Sequence, residues 1–476
     1  MSPSSRGEPY QRVLAEVLSR VKPTPEERLK VGKVISRLFK AFKELKGLIP
    51  VNFKVEIEGS IAKDTWISGD KDIDVFILFP RSISVEELRA YGLRIAKACA
   101  DRVGGEYRER YAEHPYLEVF IRGYHVDIVP AFMIRSPEEM ISAVDRTPLH
   151  TKYVRSKLGA KMRDEVRLLK QFMKGIGVYG AERRVSGFSG YLAELLVIHY
   201  GSFIDVLKGV SSWKPHKTLI DIEGHYPSRL IEVVKEGFGR PPLVLIDPVD
   251  KRRNAAASVS LEKMATFIAA SRFFLRKPSV RYFYPPKPSD INLREELKKR
   301  GTCLLAVKLP CPKLPPDVLW GEIYRSLEGF RNLFKAHSFE VLSCSAWSDE
   351  EERIVFLFEL SSGRLPYLER HVGPPVGSPN EEDFVSKYLR GAYVLAGPFI
   401  EGNRWVVYKL RAFTRAKELL LKGAGKVRHG KHIAKLLDSM EVYEGEELDV
   451  LLNSFGEPFK EYFISWLTKK LYWLEG

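Results

Sequence analysis

Three aspartates carry the clearest chemical signal in this chain. Asp72 and Asp74 stand two positions apart in Lys71-Asp72-Ile73-Asp74-Val75-Phe76, which continues as an apolar segment. Residues two apart on a strand point to the same face, so these carboxylates would lie side by side and repel each other. Divalent cations remove that repulsion, and Mg²⁺ takes hard oxygen ligands while keeping waters for substrate phosphates. Asp72 and Asp74 are therefore predicted to bind metal.

Asp127 supplies a third carboxylate of the same kind. It interrupts the apolar segment His125-Val126-Asp127-Ile128-Val129. Two metal ions held ~3.5–4 Å apart by carboxylates activate an attacking hydroxyl and stabilise a leaving pyrophosphate. The three aspartates are predicted to catalyse nucleotidyl transfer with two Mg²⁺ ions, with Asp127 accepting the hydroxyl proton or lying beside it.

The Gly59-Ser60 step stands where a predicted strand passes into a helix. Gly59 lets the backbone approach a phosphate closely, and a helix N-terminus offers free N–H groups to an anion. Ser60 can donate its hydroxyl and Lys63 can add a charge. Neither Gly-Ser nor Asp-x-Asp is specific alone, but their ordered combination with Asp127 favours a nucleotide-binding site.

The elements that would position these residues alternate in the first 150 residues. Thr24-Pro25-Glu26-Glu27 and Ser84-Val85-Glu86-Glu87 are capping boxes that open helices. Segments 51–57, 72–79, 117–121 and 125–129 are predicted strands. Residues 1–150 are therefore predicted to form a small mixed sheet with helices against it, as a catalytic head domain.

The rest of the chain predicts two further regions. Residues 151–275 are mostly helical and basic, which predicts a helical domain whose basic residues either face phosphates or form a solvated helix face, and prolines from Pro278 to Pro288 mark a boundary. In residues 276–476 the predicted order is β-α-β-β-α-β, a ferredoxin-like arrangement followed by terminal helices. Its predicted strands are 303–309, 339–346, 354–360 and 405–410, and its predicted helices are 317–335 and 381–389. The fold class is α+β.

Charge restricts the kind of partner. The 476 residues contain 76 Lys and Arg against 61 Asp and Glu, a net charge of +15. Such an excess favours a polyanionic partner, with nucleic acid first and a membrane surface second. The four cysteines form no C-x-x-C pair, so neither zinc nor disulfides are indicated. No signal peptide is predicted, and polar residues interrupt the apolar stretch 191–207, so a cytoplasmic protein without a membrane span is expected.

At these motifs the chain resembles the DNA polymerase β-like nucleotidyltransferase superfamily and, more closely, the archaeal class I CCA-adding tRNA nucleotidyltransferases. The resemblance implies template-independent addition of C, C and A to a tRNA 3′ end from CTP and ATP. It also implies that residues 151–275 form a neck that binds nucleotide and that residues 276–476 bind tRNA, and it suggests a homodimer. The segments that carry it are 59–76, 111–116, 126–130, 143–148, 166–170, 179–182, 187–191 and 247–250.

The same resemblance implies individual roles. Asp72, Asp74 and Asp127 match metal ligands. The positions that match nucleotide-contacting residues are Gly59, Ser60, Lys63, Thr147, His150, Lys170, Tyr179 and Arg253. Lys63 stands where some relatives have Arg, and a point charge replaces the bidentate guanidinium there.

Two alternatives stay open on the sequence alone. A poly(A) polymerase or another terminal RNA nucleotidyltransferase would share the three carboxylates. A non-catalytic RNA-binding scaffold could keep the fold, but such a protein would be expected to lose carboxylates that this chain retains.

Overall fold

The computed structural model describes residues 8–111, 114–227 and 231–474. The chain divides into two compact units. Met1–Pro286 together with Leu471–Gly476 forms the first unit, and Lys287–Lys470 forms the second.

The first half of unit 1 is a five-stranded sheet with helices packed on one side. The sheet has the order β1-β2-β5-β4-β3, in which β2 and β5 are parallel and the other neighbours are antiparallel. Both predicted capping boxes are present, at Thr24 and Ser84. The elements are α1 (Glu8–Val21), α2 (Pro25–Glu44), β1 (Lys54–Glu58), α3 (Gly59–Lys63), β2 (Asp72–Phe79), α4 (Val85–Val103), β3 (Glu106–Tyr111), β4 (Pro115–Ile121) and β5 (Tyr124–Phe132).

The two faces of this sheet differ sharply in composition. Ile73, Val75 and Ile77 of β2 are buried on the back face, in a core shared with α2 and α4. Because side chains alternate along a strand, Asp72 and Asp74 point to the opposite side, here called the front face. The apolar packing of the back face thus fixes which residues the sheet presents in front.

The remainder of unit 1 is mainly helical. An aromatic core surrounds Phe172, whose ring is 5.5 Å from the rings of Phe203 and Phe274. The elements are α5 (Thr147–Lys157), α6 (Ala160–Gly175), α7 (Gly190–Tyr200), α8 (Phe203–Ser211), β6 (Leu219–Asp221), α9 (Ile231–Gly237), β7 (Val244–Ile246) and α10 (Leu261–Arg276), with 3₁₀ turns at Pro137–Glu139, Ala143–Arg146, Val280–Tyr282 and Tyr472–Leu474.

The apolar stretch over α7 and α8 bears on membrane crossing. No single helix within the described ranges has both the length and the hydropathy of a membrane span. Only α7 and α8 taken together meet that test, and they are bent by 92° with respect to each other.

Unit 2 combines two sheets. One has the order β14-β8-β10-β9 and the other the order β11-β13-β12. The elements are α11 (Leu293–Arg300), β8 (Cys303–Pro310), α12 (Pro316–Ala336), β9 (Val341–Ser348), β10 (Arg353–Leu360), β11 (Leu368–Pro375), α13 (Glu381–Leu389), β12 (Val394–Glu401), β13 (Arg404–Leu410), α14 (Ala416–Gly423), β14 (Glu441–Glu444), α15 (Leu448–Ser454) and α16 (Glu457–Thr468), with 3₁₀ turns at Ala424–Lys426, Ile433–Ser439 and Gly445–Glu447.

The four-stranded sheet confirms the ferredoxin-like fold but corrects two of its elements. Its strands β8, β9, β10 and β14 are all antiparallel, and in chain order they lie as 4-1-3-2. The second helix is α14 and the fourth strand is β14, not the predicted 381–389 and 405–410. Those two segments belong to the three-stranded sheet, where Phe384 and Tyr388 of α13 pack on Val407. This sheet is an insertion between β10 and α14. Its strands have a clearer sequence pattern than the four-residue β14, so the prediction assigned the last strand of the fold to the insertion.

Candidate active site

Strand pairing places four carboxylates in one row across the front face. Glu58 lies opposite Asp74, Asp74 lies beside Asp127, and Asp127 lies opposite Glu118. Asp72 is two residues along β2 from Asp74, and its neighbour on β5 is His125. The structure therefore brings the three predicted aspartates onto one face of adjacent parallel strands, and it adds two glutamates that sequence reasoning missed.

The row is electrostatically unfavourable without a cation. Burial, together with the charges of Asp74, Glu118 and Asp72, raises the pKa of Asp127 to about 7, against a smaller opposing effect of Arg110. The pKa of Asp74 is also raised, mainly by burial, with Lys63 opposing and Asp72 adding to it. These carboxylates accept protons readily because water is excluded and their neighbours are acids.

The chemistry of the donors fits a divalent ion with hard ligands. Only carboxylates face each other in this row, and carboxylate, water and phosphate oxygens are the ligands that Mg²⁺ prefers. As the side chains stand, no group of three His, Cys, Asp or Glu residues within the described ranges converges on a common metal position. A bound cation would offset the mutual repulsion of the front-face carboxylates.

Gly59 brings the β1–α3 turn against the row. Its φ is +66°, which lies in the left-handed region that favours glycine. A Cβ at this position would overlap Oδ2 of Asp74. Ser60 follows as a half-buried residue of α3. The turn therefore requires glycine for two reasons, its backbone conformation and its close approach to Asp74.

Both predicted nucleotide-binding lysines are held by one buried acid. The Lys63 ammonium donates to Oε2 of Glu194 at 2.6 Å, and Lys170 Nζ lies 3.3 Å from Oε1. Thr65 donates its hydroxyl to the same Oε1 at 2.5 Å and accepts from Lys170 at 3.1 Å. Glu194 on α7 is fully buried, and both lysines are less than 10% exposed. The three charged groups carry one net positive charge.

The pKa shifts in this cluster have the opposite sense to those of the front face. Burial lowers the pKa of Lys170, against the opposing charge of Glu194. Burial would raise the pKa of Glu194, but Lys63 and Lys170 outweigh it and hold that pKa below its usual value. Glu194 is therefore an ionised partner of its lysines, not a proton store.

A second buried acid, Asp247, organises two more predicted residues. Its Oδ2 lies 2.9 Å from Nε2 of His150 and accepts a hydrogen bond of 2.7 Å from Arg253. Its Oδ1 accepts from the Tyr191 hydroxyl at 3.1 Å. Tyr191 stacks on His150 with ring centroids 3.9 Å apart, and Lys63 Nζ lies 5.8 Å from the Tyr191 ring. Tyr191 thus connects the Glu194 cluster to the Asp247 cluster.

The remaining predicted residues lie at the margins of these clusters. The Tyr179 hydroxyl lies against Gly190 at the start of α7, 2.9 Å from the position a Cβ would take, and Lys174 Nζ is 5.5 Å from the Tyr179 ring centroid. Thr147 is half-buried as the first residue of α5. Ala112 and Glu113, which belong to the motif 111–116, lie outside the described residues.

Glu194, Asp247 and Tyr191 were not singled out from the sequence. Glu194 did leave a signal, because a fully buried carboxylate in an otherwise apolar helix is rare unless it is paired. In the sequence it is one of the polar residues that interrupt the apolar stretch 191–207. Asp247 was part of a quoted motif, but two of its partners, His150 and Tyr191, come from distant segments, which no local pattern reveals.

Comparison with known proteins covers most of the chain. Residues 35–150 match the model of the nucleotidyltransferase domain, residues 164–284 that of the tRNA nucleotidyltransferase second domain, and residues 300–445 that of the CCA-adding enzyme C-terminal domain. Among solved structures, the Cid1 poly(U) polymerase aligns with 57% of this chain and 95% of its own, at 16% identity and a TM-score of 0.45. That likeness is too low to carry an argument.

Sequence relatives are far closer. The CCA-adding enzyme of Methanothermobacter thermautotrophicus is 39% identical over 456 residues, which are 94% of this chain and 95% of the relative. That of Pyrobaculum neutrophilum is 41% identical over 405 residues, 85% of this chain and 91% of the relative. That of Methanosarcina acetivorans is 39% identical over 439 residues, 91% and 93% of the two chains. With three family models in the expected order and relatives aligned almost end to end, this chain belongs to the CCA-adding enzymes, a family of tRNA nucleotidyltransferases.

Proposed function

We propose that this enzyme adds C, C and A to the 3′ end of tRNA from CTP and ATP, without a nucleic-acid template and with release of pyrophosphate. The carboxylate row on the front face is the observation that supports the chemistry. The near-complete alignment with CCA-adding enzymes supports the substrate and the product.

In this proposal Asp72, Asp74 and Asp127 hold two Mg²⁺ ions. Bound metal at such a site lowers the pKa of the attacking 3′-hydroxyl and stabilises the charge that develops on the leaving pyrophosphate. Gly59 keeps the β1–α3 turn close to Asp74, so that the triphosphate and the carboxylates share one small volume. Ser60 donates its hydroxyl to a phosphate oxygen.

Lys63 and Lys170 attract the triphosphate, and Glu194 fixes their positions. Because one carboxylate serves two ammonium groups, a single positive charge stays available for an anionic ligand. His150, Tyr179, Thr147 and Arg253 contact the nucleotide, and Asp247 orients His150 and Arg253. A charged clamp held by buried acids loses little conformational entropy when the nucleotide arrives.

The domain roles, partners and location follow the same proposal. Residues 1–150 form the catalytic head, 151–275 the neck that completes the nucleotide site, and 276–476 the region that binds tRNA. A homodimer and a cytoplasmic location are proposed as well. Light scattering of the purified protein tests the dimer directly.

The deciding experiment supplies tRNA transcripts that lack CCA with CTP and ATP. The wild-type enzyme is expected to add C, C and A in that order, and Asp127→Asn to add nothing measurable. Asp101→Asn, an exposed carboxylate on α4, serves as the matched control and should be as active as the wild type. Addition of A alone to arbitrary RNA would overturn the proposal in favour of a poly(A) polymerase.

A further inference from the structure

Beyond the carboxylate row, the front face continues over β4 and β3 with a different composition. Two aromatic and two arginine side chains lie there, together with Glu118 of the row and the exposed Glu106 opposite Phe120. This surface, the arginine–aromatic platform, consists of Arg108, Arg110, Tyr116, Phe120 and His125.

Strand register places the platform directly beside the predicted catalytic aspartates. Tyr116 lies opposite Arg110, and Phe120 lies opposite His125, which is itself the neighbour of Asp72. Neighbouring strands are ~4.8 Å apart, so the aromatic side chains on β4 begin one strand away from Asp127. The platform and the catalytic face are therefore one continuous surface.

Contacts within the platform hold its groups in place. The guanidinium carbon of Arg108 lies 5.6 Å from the Phe120 ring centroid, and the His125 ring meets Phe120 edge-on at 4.5 Å. Arg110 binds Glu118 through both Nε and Nη2, each at 3.1 Å. Glu118, the last acid of the row, thus anchors a cation at the border between the two surfaces.

The aromatic rings of the platform are not required by the core. On β4 the core positions are Leu117 and Val119, which are fully buried on the back face. Tyr116 and Phe120 lie on the other face and stay partly open to solvent. Arg108 and His125 are exposed. Apolar area and positive charge are thus kept on the solvent side of the sheet, where they add little to folding.

We infer that this platform binds the single-stranded 3′ end of the RNA acceptor, with bases stacked on Tyr116 and Phe120 and phosphates held by Arg108 and Arg110. Aromatic rings interleaved with cations are the general means of holding single-stranded nucleic acid without reading its sequence. Such a surface suits an acceptor whose terminal base changes after every addition. The inference rests on the proposed function, because it assigns the acceptor of that same reaction.

The test measures equilibrium binding of two transcripts in EDTA, without CTP or ATP, so that no chemistry occurs. One is a tRNA ending in CC, and the other is the same tRNA with its single-stranded 3′ nucleotides removed. Phe120→Ala should weaken binding of the first about five- to tenfold and leave the second unchanged, since stacking is lost only where unpaired bases exist. Phe120→Leu keeps the bulk without the ring and should show the same selective loss.

The salt dependence isolates the phosphate contact. Arg108→Gln should lower the slope of log affinity against log salt for the CC-ended transcript by about 0.7, the value for one phosphate on a single strand. The matched control is Tyr107→Ala, which removes an aromatic ring that is 37% exposed on the opposite face of the same strand β3. This control should leave both affinities and the slope unchanged.

Three outcomes would contradict the proposal that the platform binds the 3′ end of the RNA. One is equal loss of affinity for both transcripts, and another is no loss for either when the Phe120→Leu protein melts as the wild type does. A third is a raised KM for CTP with unchanged tRNA affinity, which would place the incoming nucleotide on these rings. The proposed function fails if the wild-type protein binds the CC-ended tRNA but adds no A when ATP and Mg²⁺ are supplied. In that case the binding measurements still show whether the platform holds the RNA end.

Discussion

Two sets of acidic residues in unit 1 show opposite electrostatics. On the front face of the sheet, Asp74 and Asp127 neighbour other acids, and their pKa values are raised. In the helical half, Glu194 and Asp247 neighbour Lys, His and Arg side chains, and their pKa values are held low. Burial acts against the charged form in all four, so the sign of the shift depends on what lies next to each carboxylate.

This difference between the two sets of acids indicates two different roles, metal binding and the positioning of cationic side chains. Acids whose neighbours across the strands are also acids leave an excess of negative charge, and a metal ion that carries the substrate triphosphate can neutralise it. Acids that are already paired with cations cannot attract a metal, but they can hold those cations where a triphosphate needs them. The contrast predicts that substitutions in the first set change catalysis and spare the fold, whereas those in the second set change both.

The largest effect is expected from Asp74→Asn. Removing one ligand of a two-metal site should reduce kcat by about 10³-fold or more, because the stabilisation of the leaving group is lost. Its melting temperature without metal should equal or exceed that of the wild type, since a repelling charge is gone. Glu56→Gln is the control, an exposed acid on neighbouring β1 outside the row, and should keep full activity. A large loss of stability in Asp74→Asn would contradict the expectation that the front-face acids do not stabilise the fold.

Glu194→Gln comes next. It leaves Lys63 and Lys170 buried without an anion, a change that costs about 3 kcal/mol of unfolding free energy in such pairs. The KM values for CTP and ATP should rise together, because both nucleotides carry the same triphosphate. Urea unfolding and steady-state kinetics measure the two effects.

Glu26→Gln provides the comparison for Glu194→Gln, since Glu26 also pairs with a lysine, Lys30, but both side chains are exposed. It should leave the unfolding midpoint and both KM values as they are. Equal behaviour of the two variants would remove the distinction between positioning acids and surface acids.

A smaller effect is expected from Gly59→Ala. A positive φ costs a residue with a Cβ about 1–2 kcal/mol, and here the Cβ would also displace Asp74. The kcat should therefore fall at least about tenfold, because a catalytic group that is displaced by a fraction of an ångström no longer has the geometry that the reaction needs. Gly301→Ala separates the two causes, because Gly301 has a φ of +62° with nothing within 4 Å of its Cβ position. Gly301→Ala should lose about as much stability as Gly59→Ala, but its kcat should be unchanged.

The smallest effect concerns pH in the absence of metal. The pKa of Asp127 is about 7 in the folded protein, above the usual value of 3.8, so the folded state binds more protons than the unfolded state between these values. The contribution of Asp127 to stability should accordingly fall as pH rises from about 4 to 7. In EDTA, the melting temperature of the wild type relative to that of Asp127→Asn should therefore fall over this interval, and added Mg²⁺ should reduce that relative fall. A difference between the two proteins that stays constant over this interval would falsify the raised pKa.

Features that depend on residues close together in the sequence were predicted correctly, whereas features that depend on contacts between distant segments were not. The spacing of Asp72 and Asp74 and the capping boxes are local, and both gave correct expectations of face and helix start. Glu58 and Glu118 were missed because their places in the row depend on the register of strands that are distant along the chain. Similarly, Glu194 becomes informative only when Lys63, more than a hundred residues away, is seen beside it.

The ferredoxin-like sheet shows the same limit. The order of its first half was correct because β8, α12, β9 and β10 follow each other without interruption. The second half failed because the insertion 361–415 contains a better helix and better strands than the short elements that complete the sheet.

That insertion leaves and rejoins the ferredoxin-like sheet at nearly one point. Leu365 donates its backbone N–H to Thr414 at 2.9 Å, Ala416 donates to Gly363 at 2.9 Å, and Arg364 bridges to Arg415. Since its two ends are already joined, a short turn could replace the segment between them at little cost in loop entropy. The three-stranded sheet is thus a separable insertion, and its removal would leave the topology of the chain around it unchanged.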